Sequence, residues 1–173
     1  MKKWTEFEIA KTLAMEFFNK EHLVVVDNCG WSGHEADILA VTRDLRLIDV
    51  EIKISRQDLK ADASKSKWRH YGAWSKSQLL PNGMSSHPHK IWKHYYALPA
   101  EIWKPELFDS LPSIKSGVVL LSTVTLKNGK SVVKYKVVRK ATPNRNAEKI
   151  STADVLNVAR LASLRMWSHR TKT

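Results

Sequence analysis

The sequence predicts an α/β fold, a mixed central β-sheet flanked by α-helices, because two periodic patterns occur along the chain. Short apolar runs rich in Val, Ile and Leu, bounded by Gly, Pro, Asn or Asp, are typical of strands. Segments with apolar residues at helical spacing, preceded by Thr or Ser, are typical of helices. A predicted hairpin that carries acidic residues and a lysine among its apolar residues is the main candidate for a functional site.

The length of 173 residues suits a single domain with a substantial core. We expect one domain over 1–173, with its core at about 5–125 and a C-terminal hairpin and helix at 126–170. Hydrophobic residues make up 43% of the chain, and no apolar run approaches the roughly 20 residues of a membrane span. The chain begins without an apolar segment behind its lysines, and its one cysteine, Cys29, excludes an internal disulfide. An intracellular, cytoplasmic protein with no membrane partner is therefore expected.

The charge balance favours a polyanionic partner. The net charge is +12, from 29 Lys and Arg against 17 Asp and Glu, and phosphate neutralisation by such residues supplies most nonspecific affinity for nucleic acid. Seven tryptophans and seven histidines accompany the basic residues, which strengthens the expectation of nucleic acid. Solubility alone is the alternative explanation of the excess charge.

The first helix is predicted to begin after Thr5, because Glu8 follows at the spacing of a capping box. An apolar stripe along this helix is expected to face the core. Its members are Phe7, Ala10, Leu13, Ala14, Phe17 and Phe18. Glu6 falls near the middle of the stripe, whereas Glu8 falls opposite it. The Glu6 carboxylate is therefore expected either to interact with the helix dipole or to point into a site.

A hairpin over residues 36–54 follows a short predicted strand. Two Val- and Ile-rich runs joined by the polar turn Arg43–Asp44 predict a pair of antiparallel strands. Asp37 enters the first strand, and Glu51 and Lys53 lie two apart on the second, so the latter two side chains point to the same face. The opposite face is expected to belong to the core. It comprises Ile48, Val50, Ile52 and Ile54.

A second helix is predicted to begin near Arg56, with Ser55 as its cap and Asp58 completing a capping box. Cations and aromatic rings alternate along it, a pattern that suits contacts to phosphates and bases. The candidate nucleic-acid-binding residues are Lys60, Lys67, Arg69 and Tyr71. A solvated helix face is the alternative, and Trp68 is expected in the core. The long loop over 75–90 exceeds a normal connection and is either functional or mobile.

Four further strands and a final helix complete the prediction. The strands are Leu23–Val26, His94–Leu98, Val118–Val124 and Val132–Val138, and the helix runs from Thr152 to about Trp167. Asn128–Gly129 predicts a tight turn between the last two strands. Alternation in the last strand places Lys134, Lys136 and Arg139 along an exposed basic edge, which also discourages aggregation.

The polar residues of the hairpin are the types that phosphodiester hydrolysis needs. Mg²⁺ prefers carboxylate, carbonyl and water oxygens, and it can activate water and neutralise phosphate. Asp37 and Glu51 could hold Mg²⁺, or Mn²⁺ in its place, with the Ile52 carbonyl as a third protein ligand. Lys53 could orient the attacking water or neutralise the phosphate. The alternative is a surface ion pair between Glu51 and Lys53, with Asp37 capping a turn.

The order helix, strand, Asp-bearing strand, Glu-x-Lys strand, helix, strand resembles the core of the PD-(D/E)XK nuclease superfamily. Within it, the chain is most similar to the MmcB-like group of DNA-repair endonucleases. The resemblance covers roughly residues 5–125. It rests on Glu35–Ala40, Glu51–Asp58, Asp62, Lys67–Tyr71 and Tyr95–Pro99. The usual proline before the first aspartate is replaced by Ala36.

The resemblance implies a restriction-endonuclease-like core and a Mg²⁺-dependent deoxyribonuclease, of the endonuclease type, acting in DNA repair, recombination or phage DNA processing. It implies metal-binding roles for Asp37 and Glu51, a catalytic role for Lys53, and a further site acid from the first helix. Glu6 is the first choice for that acid, and Glu8 is the second.

Two other hypotheses remain open at this point. The chain could be a nucleic-acid-binding module that keeps the nuclease fold without catalysis. Its small size and lack of a separate recognition domain also suit a nuclease component of a larger assembly, or a homodimer.

Overall fold

Six strands form one mixed β-sheet, and helices pack against both of its faces. This computed structural model describes residues 3–18, 21–65, 68 and 90–170. The strands are β1 (His22–Cys29), β2 (Ala36–Thr42), β3 (Leu47–Ile52), β4 (Ile91–Pro99), β5 (Gly117–Thr125) and β6 (Ser131–Arg139). The helices are α1 (Glu6–Thr12), α2 (Arg56–Ala61) and α3 (Thr152–Arg170). The predicted α/β architecture with a mixed, helix-flanked sheet is confirmed.

The strands lie side by side in sequence order. β1, β2 and β3 are antiparallel neighbours, β3, β4 and β5 run parallel, and β6 returns antiparallel to β5. Because β3, β4 and β5 run in one direction, their C-terminal ends meet at one end of the sheet. We call this the carboxyl end, and it carries Glu51 and the residues that follow it.

The β2–β3 hairpin closes through a turn that is longer than the predicted Arg43–Asp44. The Thr42 N–H donates to the carbonyl of Arg46 at 2.9 Å, and the Thr42 hydroxyl donates to Asp44 at 2.6 Å. Leu45 completes the turn with a φ of 63°, in the left-handed region that a non-glycine residue rarely adopts. The side-chain and backbone bonds of Thr42 hold this strained turn in place.

α1 begins at the capping box that the sequence predicts. The Glu8 N–H donates to the Thr5 hydroxyl at 3.2 Å, and the Thr5 N–H donates to the Glu8 carboxylate, also at 3.2 Å. Two backbone donors at the helix start are thereby satisfied. The Glu8 carboxylate is consequently held at the helix start, beside Thr5.

The apolar stripe of α1 differs from the predicted one. A π-helical segment, Leu13–Phe17, follows α1, and the Phe18 N–H closes it by donating to the Leu13 carbonyl at 2.9 Å. The buried residues are Ile9, Leu13 and Phe18, and the difference from the predicted stripe lies before the wider turn, where Ile9 is buried. The prediction was wrong at Phe7, which is 62% exposed.

The helix after β3 is shorter than predicted. The Asp58 N–H donates to the Ser55 hydroxyl at 3.1 Å, which confirms the predicted Ser55 cap. The Asp58 carboxylate lies 3.7 Å from Lys53 Nζ, so the predicted capping box is only half formed. α2 nevertheless ends at Ala61, and a 3₁₀ turn, Asp62–Ser64, follows it. The Asp62 carboxylate accepts a hydrogen bond from the Trp68 indole, 2.9 Å away. This bond holds Trp68 in the core, six residues after Asp62, where the sequence predicts a continuing helix.

Both faces of β3 are buried. One face packs against α1 in a core cluster. Its β3 members are Ile48, Val50 and Ile52. The prediction of a core face was wrong at Ile54, which is 42% exposed because β3 ends before it. The other face buries Asp49, Glu51 and Lys53 as well as apolar residues, so the ionic residues of the hairpin lie inside the molecule.

The C-terminal part completes the sheet and covers its first strand. Gly129 adopts a φ of 79° in the predicted tight turn between β5 and β6. α3 packs against β1, with Ile150 and Val158 buried in the same cluster as β1 residues. Among the residues described, no helix is long and apolar enough to span a membrane.

Candidate functional site

The register of the β2–β3 hairpin brings Asp37 and Glu51 together. Ile38 pairs with Val50, so Asp37 and Glu51 lie one residue further along the two facing strands. The Ile52 N–H donates to Asp37 Oδ2 at 2.6 Å. This bond holds the Asp37 carboxylate against the carboxyl end of β3.

The surroundings of Asp37 favour its protonated form. Burial, the negative charge of Glu51 and a smaller effect of Glu6 raise the pKa of Asp37 to about 6, against the hydrogen bond from Ile52 and the positive charge of Lys53. Ionised Asp37 is therefore costly at neutral pH. A cation beside Asp37 and Glu51 would remove the repulsion that raises this pKa.

A cavity of about 170 Å³ opens beside Asp37. α1 supplies Glu6 and Phe7 to its wall, and the end of β1 supplies Asp27 and Asn28. Of the two acids that the sequence left open, Glu6 lines this cavity with Asp37, whereas Glu8 is engaged in the capping box.

Four charged side chains form a closed arrangement next to Asp37, which we call the charge quartet: Glu51, Lys53, Asp62 and Lys65. Lys53 Nζ lies 3.0 Å from Glu51 Oε2 and 3.1 Å from Asp62 Oδ1. Lys65 Nζ lies 3.2 Å and 3.0 Å from the same two oxygens. Two positive and two negative charges thus compensate each other, which offsets part of the cost of burying them.

The carboxylates of the quartet keep both lysines protonated. Burial lowers the pKa of Lys53, but the negative charges of Glu51 and Asp62 outweigh this effect and raise it overall. The same balance raises the pKa of Lys65. Lys53 is buried, whereas the Lys65 side chain is 47% exposed and closes the quartet on the solvent side. Lys53 can therefore supply positive charge and hydrogen bonds, and it is not a base at neutral pH.

Two aromatic side chains fix Asp62. The Trp68 indole and the Tyr96 hydroxyl both donate to Asp62 Oδ2, at 2.9 Å and 2.5 Å. Burial and the negative charge of Asp62 raise the pKa of Tyr96 well above its usual value, so the hydroxyl keeps its proton. Tyr96 pairs with Glu51 in the β3–β4 ladder, which places the support of Asp62 directly beside the site.

A second buried polar group lies deeper in the sheet. His34 Nε2 lies 2.9 Å from Asp49 Oδ2, and His94 Nδ1 lies 3.0 Å from the Ser116 hydroxyl. Asp49, His94 and Ser116 have no solvent exposure. This group therefore connects β3, β4 and the loop before β5 inside the core, and we assign it a structural role.

Of the four predicted nucleic-acid-binding residues, one lies among the described residues and three lie outside them. Lys60 is exposed on the last turn of α2. Lys67, Arg69 and Tyr71 lie outside the described residues, as does the loop over 75–89. Trp68, expected in the core, is 2% exposed.

Three residues of the site gained no role from the sequence. Asp62 and Lys65 complete the quartet, and Asp27 lines the cavity beside Asp37. For Asp62 and Lys65, the sequence feature that could have indicated an ion pair is their i,i+3 spacing shortly after the Glu-x-Lys strand. Asp27 lies in β1, which continues to Cys29 and so extends beyond the predicted strand.

The donor set fits an open divalent-cation site. Within the described ranges, no three His, Cys, Asp or Glu side chains converge closely enough to form a complete protein cage. Mg²⁺ is commonly held by one or two carboxylates together with waters and substrate phosphates. Asp37 and Glu51 would supply the two carboxylates of such a site, where Glu51 Oε2 also contacts Lys53 and Lys65. Glu6 and Ile52 border the same cavity as Asp37.

Comparison with known proteins yields a fold and no function. No family model and no curated protein matches the chain. The chain is similar to the solved structure of the SPO1766 protein of unknown function from Silicibacter pomeroyi, with a TM-score of 0.56 and 16% identity. The match covers 97% of this chain and 90% of that chain. At this identity the likeness shows a shared α/β fold alone.

Proposed function

We propose that the protein is a metal-dependent nuclease with a restriction-endonuclease-like core that hydrolyses phosphodiester bonds in DNA. The observation that carries the proposal is the position of Asp37 and Glu51 on facing strands, one residue beyond the Ile38–Val50 pair, with Lys53 3.0 Å from Glu51. The pKa of about 6 at Asp37 supports a site that accepts a cation. The net charge of +12 supports DNA as the polyanionic substrate.

Asp37 and Glu51 would hold Mg²⁺ or Mn²⁺ between their strands, with the Ile52 carbonyl as a further ligand. Glu6 adds negative charge from α1, which lines the same cavity as Asp37. When bound, the metal ion supplies activation of a water nucleophile and neutralisation of the scissile phosphate.

Lys53 has a separate role in this proposal. Because it stays protonated, it donates hydrogen bonds to the attacking water or to a phosphate oxygen and stabilises negative charge in the transition state. Asp62 and Lys65 are positioning residues, since both contact members of the quartet and so fix where Lys53 and Glu51 lie.

A non-catalytic DNA-binding module is the second candidate, and one observation favours it. The quartet balances its own charges, with both lysines already contacting Glu51 Oε2, so these four residues are stable without a metal ion. This candidate predicts salt-dependent DNA binding with no metal-dependent cleavage.

Cleavage of supercoiled plasmid and linear duplex DNA in Mg²⁺ or Mn²⁺ tests the proposal. We expect the wild type to cut and Asp37→Asn, Glu51→Gln and Lys53→Ala to lower the rate by at least about 100-fold, because each removes charge stabilisation at the reacting phosphate.

Glu148→Gln and Lys104→Ala are matched controls, since both residues are exposed, and they should cut at the wild-type rate. Lys53→Ala also removes one of the two positive charges that contact the buried Glu51 and Asp62 carboxylates, so circular dichroism must confirm its fold. Asp37→Asn is nearly isosteric and decides the question: undiminished cutting by this variant would contradict the proposed site.

A further inference from the structure

The β5–β6 hairpin projects beyond the rest of the sheet at the carboxyl end. β4 pairs with β5 as far as Pro99 and Leu121, whereas β5 and β6 stay paired up to Thr125 and Ser131. Four further residues of each strand extend about 14 Å past the last residue of β4 at about 3.4 Å per residue. Residues 123–131 are exposed. The exposed end of the hairpin, residues 123–131, therefore lies at the same end of the sheet as the candidate site.

Two lysines of β6 share a face of the sheet with Glu51. Glu51, Tyr96 and Val118 are paired across β3, β4 and β5, and residues paired in this way point to the same face. Two and four residues beyond Val118, Leu120 pairs with Lys136 and Ser122 pairs with Lys134. Three strand spacings of about 4.8 Å place β6 about 14 Å to the side of β3.

The hairpin belongs to a segment with no acidic residue. Residues 110–147 contain eight Lys and Arg and no Asp or Glu. Four of the lysines lie on the outer part of the hairpin and are exposed. They are Lys127, Lys130, Lys134 and Lys136. A potential of one sign is therefore concentrated on a protruding ribbon.

Protection of the sheet edge does not account for all four lysines. Lysine on an edge strand prevents pairing with other chains, and Lys134 and Lys136 could serve that purpose. Lys127 and Lys130, however, lie in the turn region that joins the strands, where the Leu126 N–H donates to the Lys130 carbonyl at 2.8 Å. Edge protection therefore does not explain the charge of these two lysines.

We propose that the β5–β6 hairpin is a surface that binds duplex DNA and positions it across the candidate site. A two-stranded ribbon fits the major groove, which is about 12 Å wide, and its lysines would contact phosphates on either side. The inference rests on the proposed nuclease function for its choice of DNA, and it adds the element that binds the duplex. The exposed Lys60 of α2 is thereby complemented by a second set of basic side chains for the duplex.

The test is binding of a short fluorescent duplex without metal, so that cleavage plays no part. The triple variant Lys127→Ala/Lys130→Ala/Lys134→Ala is compared with Lys11→Ala/Lys104→Ala/Lys149→Ala, which removes the same charge from exposed positions elsewhere. We expect the hairpin variant to bind at least about 10-fold more weakly, and its slope of log affinity against log salt to fall by about 2.7, at about 0.9 per phosphate contact. The control should bind within about twofold of the wild type.

Equal weakening by both triple variants would overturn the proposal, because it would show an effect of net charge alone. Unchanged binding by the hairpin variant, or tighter binding of the wild type to anionic vesicles than to DNA, would overturn it as well. If the alanine variant has a lower melting temperature than the wild type, the triple variant Lys127→Gln/Lys130→Gln/Lys134→Gln, which keeps a hydrophilic surface, is used in its place. A wild type that binds through the hairpin but never cuts would refute the nuclease and leave this inference standing.

Discussion

Asp37 is the residue whose ionisation the fold controls most directly. Its pKa rises from 3.8 to about 6 because of burial and the charge of Glu51. The folded state therefore binds this proton more tightly than the unfolded chain does. The stability that results is fully present below the ordinary pKa and is lost as the pH rises through about 6. The shift corresponds to about 3 kcal/mol when the carboxylate is fully ionised.

Asp37→Asn should therefore raise the free energy of unfolding at pH 7.5 more than at pH 4.5. The expected difference between the two pH values is about 2 kcal/mol, and urea denaturation at both measures it. Asp109→Asn, at an exposed carboxylate, is the control and should show no such difference. Mg²⁺ should stabilise the wild type more at pH 7.5 than at pH 4.5. An equal effect of Asp37→Asn at both pH values would argue against the raised pKa.

The residue scale also shows what a pattern can reveal. The alternation of strand side chains was enough to place Glu51 and Lys53 on one face, and their 3.0 Å contact confirms it. The spacing of Thr5 and Glu8 was enough to predict the capping box. Neither pattern reveals the pKa of Asp37, because that depends on burial.

At the scale of elements, the charge quartet and Tyr96 together join three parts of the chain. Glu51 belongs to β3, Asp62 to the 3₁₀ turn after α2, and Tyr96, which supports Asp62, to β4. The quartet therefore acts as a buried connection between the sheet and the segment that crosses over it.

Asp62→Ala should break this connection. It leaves Lys53 short of one counter-charge and removes the acceptor of Trp68 and Tyr96, so we expect a loss of about 3–5 kcal/mol, measured by urea denaturation. Asp58→Ala is the matched control, because its carboxylate lies 3.7 Å from Lys53 but is 44% exposed. It should cost less than about 1 kcal/mol. Similar losses for both variants would contradict a special role for the quartet.

At the scale of the molecule, the sheet runs without interruption from β1 to β6 and α3 packs back against β1. The first and last parts of the chain are thus parts of one packed structure. Ala141 lies in the cluster beneath α1, and Ile150 and Val158 lie in the cluster on β1. The buried core accordingly continues past residue 125.

A chain truncated after Thr125 should lose cooperative folding, because it lacks β6 and the cover of β1. Far-UV circular dichroism and tryptophan fluorescence during urea unfolding measure this, with the full chain expected to unfold in one transition by both. A truncated chain with the full-length midpoint would show that the segment beyond 125 is dispensable. A homodimer or larger assembly stays a prediction, and size-exclusion chromatography with and without DNA tests it.

Sequence patterns alone were enough to predict the α/β class, the common face of Glu51 and Lys53, and the Thr5 and Ser55 caps of the first two helices. Each of these patterns involves residues a few positions apart, where spacing alone dictates geometry. The tertiary structure decided that α2 ends at Ala61, that Glu6 and not Glu8 lines the cavity, and that Asp62 and Lys65 complete the quartet. These outcomes depend on burial and on bonds between distant residues, such as that of Tyr96 to Asp62, which no local pattern contains.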